Sequence, residues 1–228
     1  MRLYKEDGHS FLFIEENVIG EGAFGKIYKL DNICYKIFIE SLPKYKDNSE
    51  FSVEVFNILK KLNLKNFYQL YEVFYNKTLT SILGYSSKYY KNENIDIITM
   101  PTDYTLNNLY NMYDSIKKIS ELGILMVDSH DGNVIMNSKE ITIIDTDLYY
   151  KVDTPFYHTD LLYSNIKSLL SLYKTLYYSS IDEHHDEDFS KYTKNVESIF
   201  NPYEKDAIDV ACKKLIKYKY PIDYLRRK

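Results

Sequence analysis

With 228 residues, 45% of them hydrophobic, and no apolar run of bilayer length, the chain can bury a full core and is expected to be a soluble, cytoplasmic protein. A formal net charge of −4 excludes nucleic-acid binding driven by phosphate neutralisation, and the terminal Arg226-Arg227-Lys228 is too short to reverse that. Its two cysteines, Cys34 and Cys212, build no disulfide framework and point to a reducing compartment.

The first motif in chain order is Gly20-Glu-Gly22-Ala-Phe24-Gly25-Lys-Ile27-Tyr28. Three glycines between β-prone runs let backbone amides approach a polyphosphate with no Cβ atoms in the way. Dinucleotide-binding folds use the same spacing to open a helix. Here residues 27–30 and 33–38 read as strands around the two-residue turn Asp31-Asn32, so the loop joins strands and the dinucleotide reading falls. Period-two alternation puts Cys34 and Lys36 on one face of the second strand. That places a small side chain where an adenine ring would lie and an ammonium where phosphates would lie; the plain alternative is a lysine snorkelling from an edge strand.

Between residues 48 and 63, Phe51, Val55, Ile58, Leu59 and Leu62 recur at helical spacing. Glu54 borders that stripe 18 residues after Lys36, and Glu50 lies one turn earlier on the same face. Strands are expected at 68–75 and 95–100, with a polar loop at 86–94 between them. Pro101-Thr102-Asp103 follows, and then a helix over 106–122. In the segment from Leu122 to Met136 an apolar run ends in Asp128, Asn133 comes five residues later, and a short strand follows. Residues 141–147 form a strand ending in acids, Asp145 and Asp147, the first 12 residues past Asn133. A broad apolar face through Leu161, Leu162, Ile166, Leu169, Leu170, Leu172 and Leu176 predicts a helix over 160–178, with Asp160 near its start. The acidic stretch 182–188, with His184 and His185, reads as a solvated loop rather than a metal site. Helices over 189–200 and 203–218 close the chain.

In this order and at these spacings the motifs resemble those of the protein-kinase-like superfamily. The resemblance implies an α+β, bilobal fold in a single catalytic domain. It has a small antiparallel-sheet N-lobe at 1–100, a hinge at 101–104 and a shortened, mostly helical C-lobe at 105–228. ATP and Mg²⁺ are the implied cofactors. Gly20, Gly22, Phe24, Gly25 and Ile27 would cover the nucleotide, Cys34 would line its pocket, and Met100 and Thr102 would meet the adenine at the hinge. Lys36 would hold the α- and β-phosphates and Glu54 would orient it, with Glu50 as the fallback. Asp128 is the implied catalytic base, which accepts or aligns the acceptor hydroxyl proton. Asn133 and Asp145 are the implied magnesium ligands, and Asp147 either binds a second magnesium or solvates the chain. Asp160 either hydrogen-bonds the backbone of the catalytic loop or caps its own helix.

Departures from the eukaryotic-type pattern narrow the reading. Met126-Val127 stands where that pattern has His-Arg, so control through a phosphorylated activation loop is not expected. His130, two residues after Asp128, makes the loop similar to that of aminoglycoside and choline phosphotransferases, and Asp147 replaces the final glycine of Asp-Phe-Gly. No Ala-Pro-Glu motif follows. The implied activity is transfer of the γ-phosphoryl group of ATP to a hydroxyl, with Ser or Thr of a protein as the first acceptor class; no nucleic-acid or membrane partner is expected. A small-molecule kinase, a nucleotide-binding pseudokinase scaffold and an AMP transferase are the alternatives.

Overall fold

A computed structural model of the chain describes residues 1–43, 51–152, 158–183, 189–203 and 206–227. Among these it is an α+β protein with a seven-stranded antiparallel sheet, two two-stranded sheets and six α-helices. The chain divides into two compact units. The first comprises Met1–Asn63, Tyr68–Tyr90 and Thr146–Tyr149, and the second Leu64–Phe67, Lys91–Asp145 and Tyr150–Lys228. No described helix is long and apolar enough to cross a membrane.

The first unit holds β1 (Arg2–Tyr4), β2 (Ser10–Leu12), β3 (Val18–Glu21), β4 (Gly25–Leu30), β5 (Ile33–Pro43), α1 (Val53–Lys61), β6 (Leu70–Tyr75) and β7 (Ser81–Lys88). The strands lie in the order β2-β1-β6-β7-β5-β4-β3. β4 and β5 form the expected hairpin, with Leu30 opposite Ile33 and Asp31 at a positive φ of 52° that suits a tight two-residue turn. Alternation along β5 sends Tyr35 and Ile37 into a cluster with Leu3, Phe13, Tyr28 and Phe74. On the other face Phe38 and Tyr85 meet Phe51 and Phe56 from the helical segment. Ser52 caps α1 by accepting from Val55 N–H at 3.3 Å, and Val55, Phe56 and Leu59 are the residues it buries. Gly84 in β7 has no tolerance for a side chain, because a Cβ there would stand 2.1 Å from the Lys36 carbonyl oxygen.

The second unit contains α2 (Thr102–Glu121), β8 (Ile124–Leu125), β9 (Val134–Met136), β10 (Ile141–Ile143), β11 (Tyr150–Lys151), α3 (His158–Glu183), α4 (Phe189–Ile199), α5 (Ala207–Leu215) and α6 (Pro221–Leu225). β9 pairs with β10 and β8 with β11, both antiparallel. The buried faces of α2 (Leu109, Met112, Ile116, Ile119) and α3 (Leu169, Leu172, Tyr173, Leu176) supply much of this unit's core.

Several expected elements are redrawn. β1, β2 and β7 have no counterpart among the expected strands, and β7 takes in the first three residues of the expected loop at 86–94. Residues 95–100 form a turn instead of a strand: Thr99 and Met100 N–H both donate to the Asp96 carbonyl at 3.1 Å. Consecutive Ile97 and Ile98 are both fully buried, which a strand with one buried face does not permit. α2 starts at Thr102, inside the expected hinge, and the chain passes from the first unit to the second at Tyr90–Lys91. The last expected helix, 203–218, is the shorter α5, and α6 lies beyond its expected end. Glu50 and residues 184–188 of the acidic stretch lie outside the described residues.

Candidate active site

In the first unit the glycine motif spans the tight connection from β3 to β4. Gly20 pairs with Ile27 and Glu21 with Lys26, and Gly22 N–H donates to the Gly25 carbonyl at 2.9 Å. The glycines serve different ends. A Cβ on Gly25 would stand 2.6 Å from the Ile37 carbonyl oxygen, so that glycine lets β4 approach β5. A Cβ on Gly22 would meet nothing within 4 Å. Packing therefore does not require glycine at position 22. Ala23, Phe24, Phe38, Ile39, Glu40 and Leu42 line a cavity of about 220 Å³ beside the loop. Ile27 and Cys34 are half-buried, and burial pushes the Cys34 thiol above its ordinary pKa.

Lys36, on the strand that follows the loop hairpin, is no edge-strand lysine. β5 lies between β4 and β7, and the Lys36 Nζ stands 2.7 Å from Asp147 Oδ2 in a buried ion pair. Glu54 lies on the exposed side of the first turn of α1. The segment that carries Asp147 is tied to the same unit: Thr146 N–H donates to the Tyr68 hydroxyl at 3.2 Å, and that hydroxyl donates to the Tyr85 hydroxyl at 3.3 Å.

In the second unit the loop after β8 folds around Asp128. The side-chain amide of Asn133 donates to the Asp128 carbonyl at 2.8 Å and to its Oδ2 at 3.0 Å. The five-residue spacing thus closes a ring of hydrogen bonds. His130 caps the 3₁₀ turn Asp131–Asn133 by accepting from Gly132 N–H on Nδ1 at 3.1 Å. With Nδ1 accepting, the neutral imidazole carries its proton on Nε2, which faces Asp128 Oδ1 at 3.6 Å. A Cβ on Gly132 would meet the His130 ring at 2.9 Å, so the glycine admits the ring.

Asp145 follows β10, and the Ile144 N–H just before it donates to the Asn133 carbonyl at 2.9 Å. The second unit therefore brings Asp128, Asn133 and the strand end bearing Asp145 together. Asp128 and Asp145 both hold positive φ angles, 57° and 58°, a conformation aspartate tolerates better than most residues. Asp128 is exposed and Asp145 partly so. Among the described residues no three His, Cys, Asp or Glu side chains gather into a metal cage. An amide oxygen and a carboxylate would hold magnesium only together with phosphates and water, which is the ion's usual habit.

Three buried asparagines position these parts, and no local pattern in the sequence announces them. Asn165 on α3 accepts from Met126 N–H at 2.7 Å and donates to Ser120 Oγ at 2.8 Å and the Ile124 carbonyl at 2.9 Å. It fixes the strand leading into Asp128, one of the two tasks the resemblance leaves open for Asp160, which is exposed. Asn108 on α2 accepts from Ile141 N–H at 3.1 Å and donates to the Lys139 carbonyl at 2.9 Å. Asn66 donates to Asn108 Oδ1 at 2.5 Å and to the Ile141 carbonyl at 2.7 Å. Together they hold the β9–β10 hairpin that leads to Asp145.

The resemblance implies that Met100 and Thr102 meet an adenine through backbone groups. Both are buried; the N–H of Met100 is committed to Asp96, and that of Thr102 to the Lys219 carbonyl at 3.0 Å. Neither amide is left to meet an adenine. No protein-family model matches this chain, and a search of curated proteins finds no relative.

Proposed function

We propose that the protein is an ATP-dependent phosphotransferase of the bilobal, protein-kinase-like type, which moves the γ-phosphoryl group to a hydroxyl, with Ser or Thr of a protein as the first acceptor class. The observation that carries this reading is the loop in which Asn133 grips Asp128 while its own carbonyl holds the strand that leads to Asp145. A base, an amide oxygen and a metal carboxylate held in mutual register are what phosphoryl transfer asks of a protein. The β3–β4 glycine loop followed, one strand later, by a buried lysine on β5 supports the same reading, since this class carries its phosphate lysine on the strand next after the glycine-loop hairpin.

In this reading the exposed amides around Gly22 cover the phosphates and Lys36 neutralises them. Asn133 and Asp145 would hold magnesium, which would supply positive charge against the phosphates. Asp128 receives or aligns the acceptor hydroxyl. Catalysis rests on positioning and charge stabilisation rather than on a covalent intermediate. A small-molecule acceptor is the second reading, favoured by the imidazole of His130 beside Asp128.

Mass spectrometry of the protein incubated with Mg-ATP and either mixed polypeptides or small hydroxyl compounds tests the proposal. Gain of one phosphate by an acceptor, lost in Asp128→Ala while Mg-ATP binding persists, is the expected result. Gain of AMP would redirect the chemistry, and binding without any product would favour a scaffold. Absence of Mg-ATP binding overturns the proposal.

A further inference from the structure

Resting on that reading, we infer that Asp147 is the positioning residue for Lys36: the carboxylate that holds the ammonium ready for phosphate, and not a ligand of a second magnesium. The resemblance gives that role to Glu54; a share in it falls to the segment after β10.

Three observations carry this. First, Lys36 Nζ and Asp147 Oδ2 are 2.7 Å apart, with side chains only 8% and 3% exposed. A buried ammonium with a carboxylate at that distance is held far more firmly than an exposed pair. Second, Asp147 is itself fixed on the sheet that carries Lys36. Lys36 lies opposite Tyr85 in the β5–β7 register, Tyr85 accepts from Tyr68, and Tyr68 accepts from Thr146 N–H, one residue before Asp147. The hydroxyls of Thr146 and Tyr68 are also within 3.3 Å of each other. Lys36, Tyr85, Tyr68, Thr146 and Asp147 thus close a ring around one ion pair. Third, magnesium keeps several waters in an octahedral shell, and a carboxylate this enclosed has no room to present them. A dication on Asp147 would also sit beside the Lys36 ammonium. Asp145, by contrast, is partly exposed.

Chemistry gives the arrangement a purpose. Lysine has a flexible four-carbon stem, and a phosphate lysine free to wander loses much of its value as a fixed charge.

The test is a double-mutant cycle in Mg-ATP affinity on the full chain, using Lys36→Met, Asp147→Asn and the pair, with Mg²⁺ also titrated at fixed ATP. Asp147→Asn is expected to weaken Mg-ATP binding about tenfold or more in the Lys36 protein. In the Lys36→Met protein it should change affinity by no more than about twofold, and it should leave the Mg²⁺ midpoint within about twofold. Tyr68→Phe keeps the ring and removes the clasp, so it supplies a second variant should Asp147→Asn fail to fold; its effect on affinity should likewise vanish without Lys36. Additive losses, or an Mg²⁺ midpoint displaced by Asp147→Asn, overturn the role of Asp147 and leave the phosphotransferase reading standing. A wild-type protein that binds no Mg-ATP removes both.

Discussion

The side-chain amide nitrogen of Asn133 is shared between two oxygens of Asp128, its carbonyl at 2.8 Å and its Oδ2 at 3.0 Å. Because the nitrogen is committed to Asp128, the amide must turn its Oδ1 elsewhere, and that oxygen is the atom a magnesium ion would use. One residue therefore orients the proposed base and would present the proposed metal ligand.

Replacing Asn133 with Asp separates these tasks. It keeps an oxygen for the metal but sets a second carboxylate against Asp128, and like charges at this range raise the pKa of one of them. Turnover of Asn133→Asp at neutral pH should fall by about 10²–10⁴-fold, the range associated with losing a positioned acid–base group. Part of the activity should return as pH rises and both carboxylates ionise. A pH–rate profile compared with wild type measures this, and an unchanged profile would show that Asn133 does not set the state of Asp128.

The buried pair of Lys36 and Asp147 makes a stability prediction that needs no nucleotide. Removing one partner leaves an uncompensated charge inside the sheet unit, a change that costs about 3–5 kcal/mol, whereas removing both with apolar replacements costs far less. Asp147→Ala should lower stability in urea by that amount, and Lys36→Met/Asp147→Ala should recover much of it.

How much the sequence disclosed depends on the range of the interaction concerned. The glycine loop, the Asp31-Asn32 turn and the Asp128–Asn133 spacing are local, and each is legible because backbone sterics or a short ring of hydrogen bonds dictates residue type at fixed separation. β7 escaped because Ser86 and Ser87 are buried in a strand flanked on both sides, where small polar residues carry no strand signature. The turn at 95–100 escaped for a related reason: an apolar run as short as Ile97-Ile98 fits a buried turn as well as a strand. Asn66, Asn108, Asn165 and the Lys36–Asp147 pair join residues far apart in the chain, and nothing in their immediate neighbours encodes the partner.

The glycines of the loop should separate cleanly in experiment. Gly25→Ala drives a Cβ to 2.6 Å from the Ile37 carbonyl, a backbone atom that cannot swing aside, so it should cost about 1–3 kcal/mol in stability. Gly22→Ala meets open space and should leave the melting temperature unchanged while weakening Mg-ATP. Thermal melts and nucleotide titrations of both variants test the division; a nucleotide affinity untouched by Gly22→Ala would deny the loop its phosphate contact.

Asn165 offers the most direct way to disturb the proposed base without touching it. Its side chain satisfies Met126 N–H, the Ile124 carbonyl and Ser120 Oγ at the end of β8, all within the buried interior of the second unit. Asn165→Leu matches the volume but orphans these groups, at about 1–3 kcal/mol for each one that finds no other partner. Asn165→Asp keeps the acceptor for Met126 N–H but sets a carboxylate against the Ile124 carbonyl, so it should be destabilised as well. Both variants should lose turnover more than Mg-ATP affinity, because the strand they loosen leads to Asp128 and not to the glycine loop or Lys36. Equal losses in turnover and affinity would mean that Asn165 supports the fold of its unit without setting the position of Asp128.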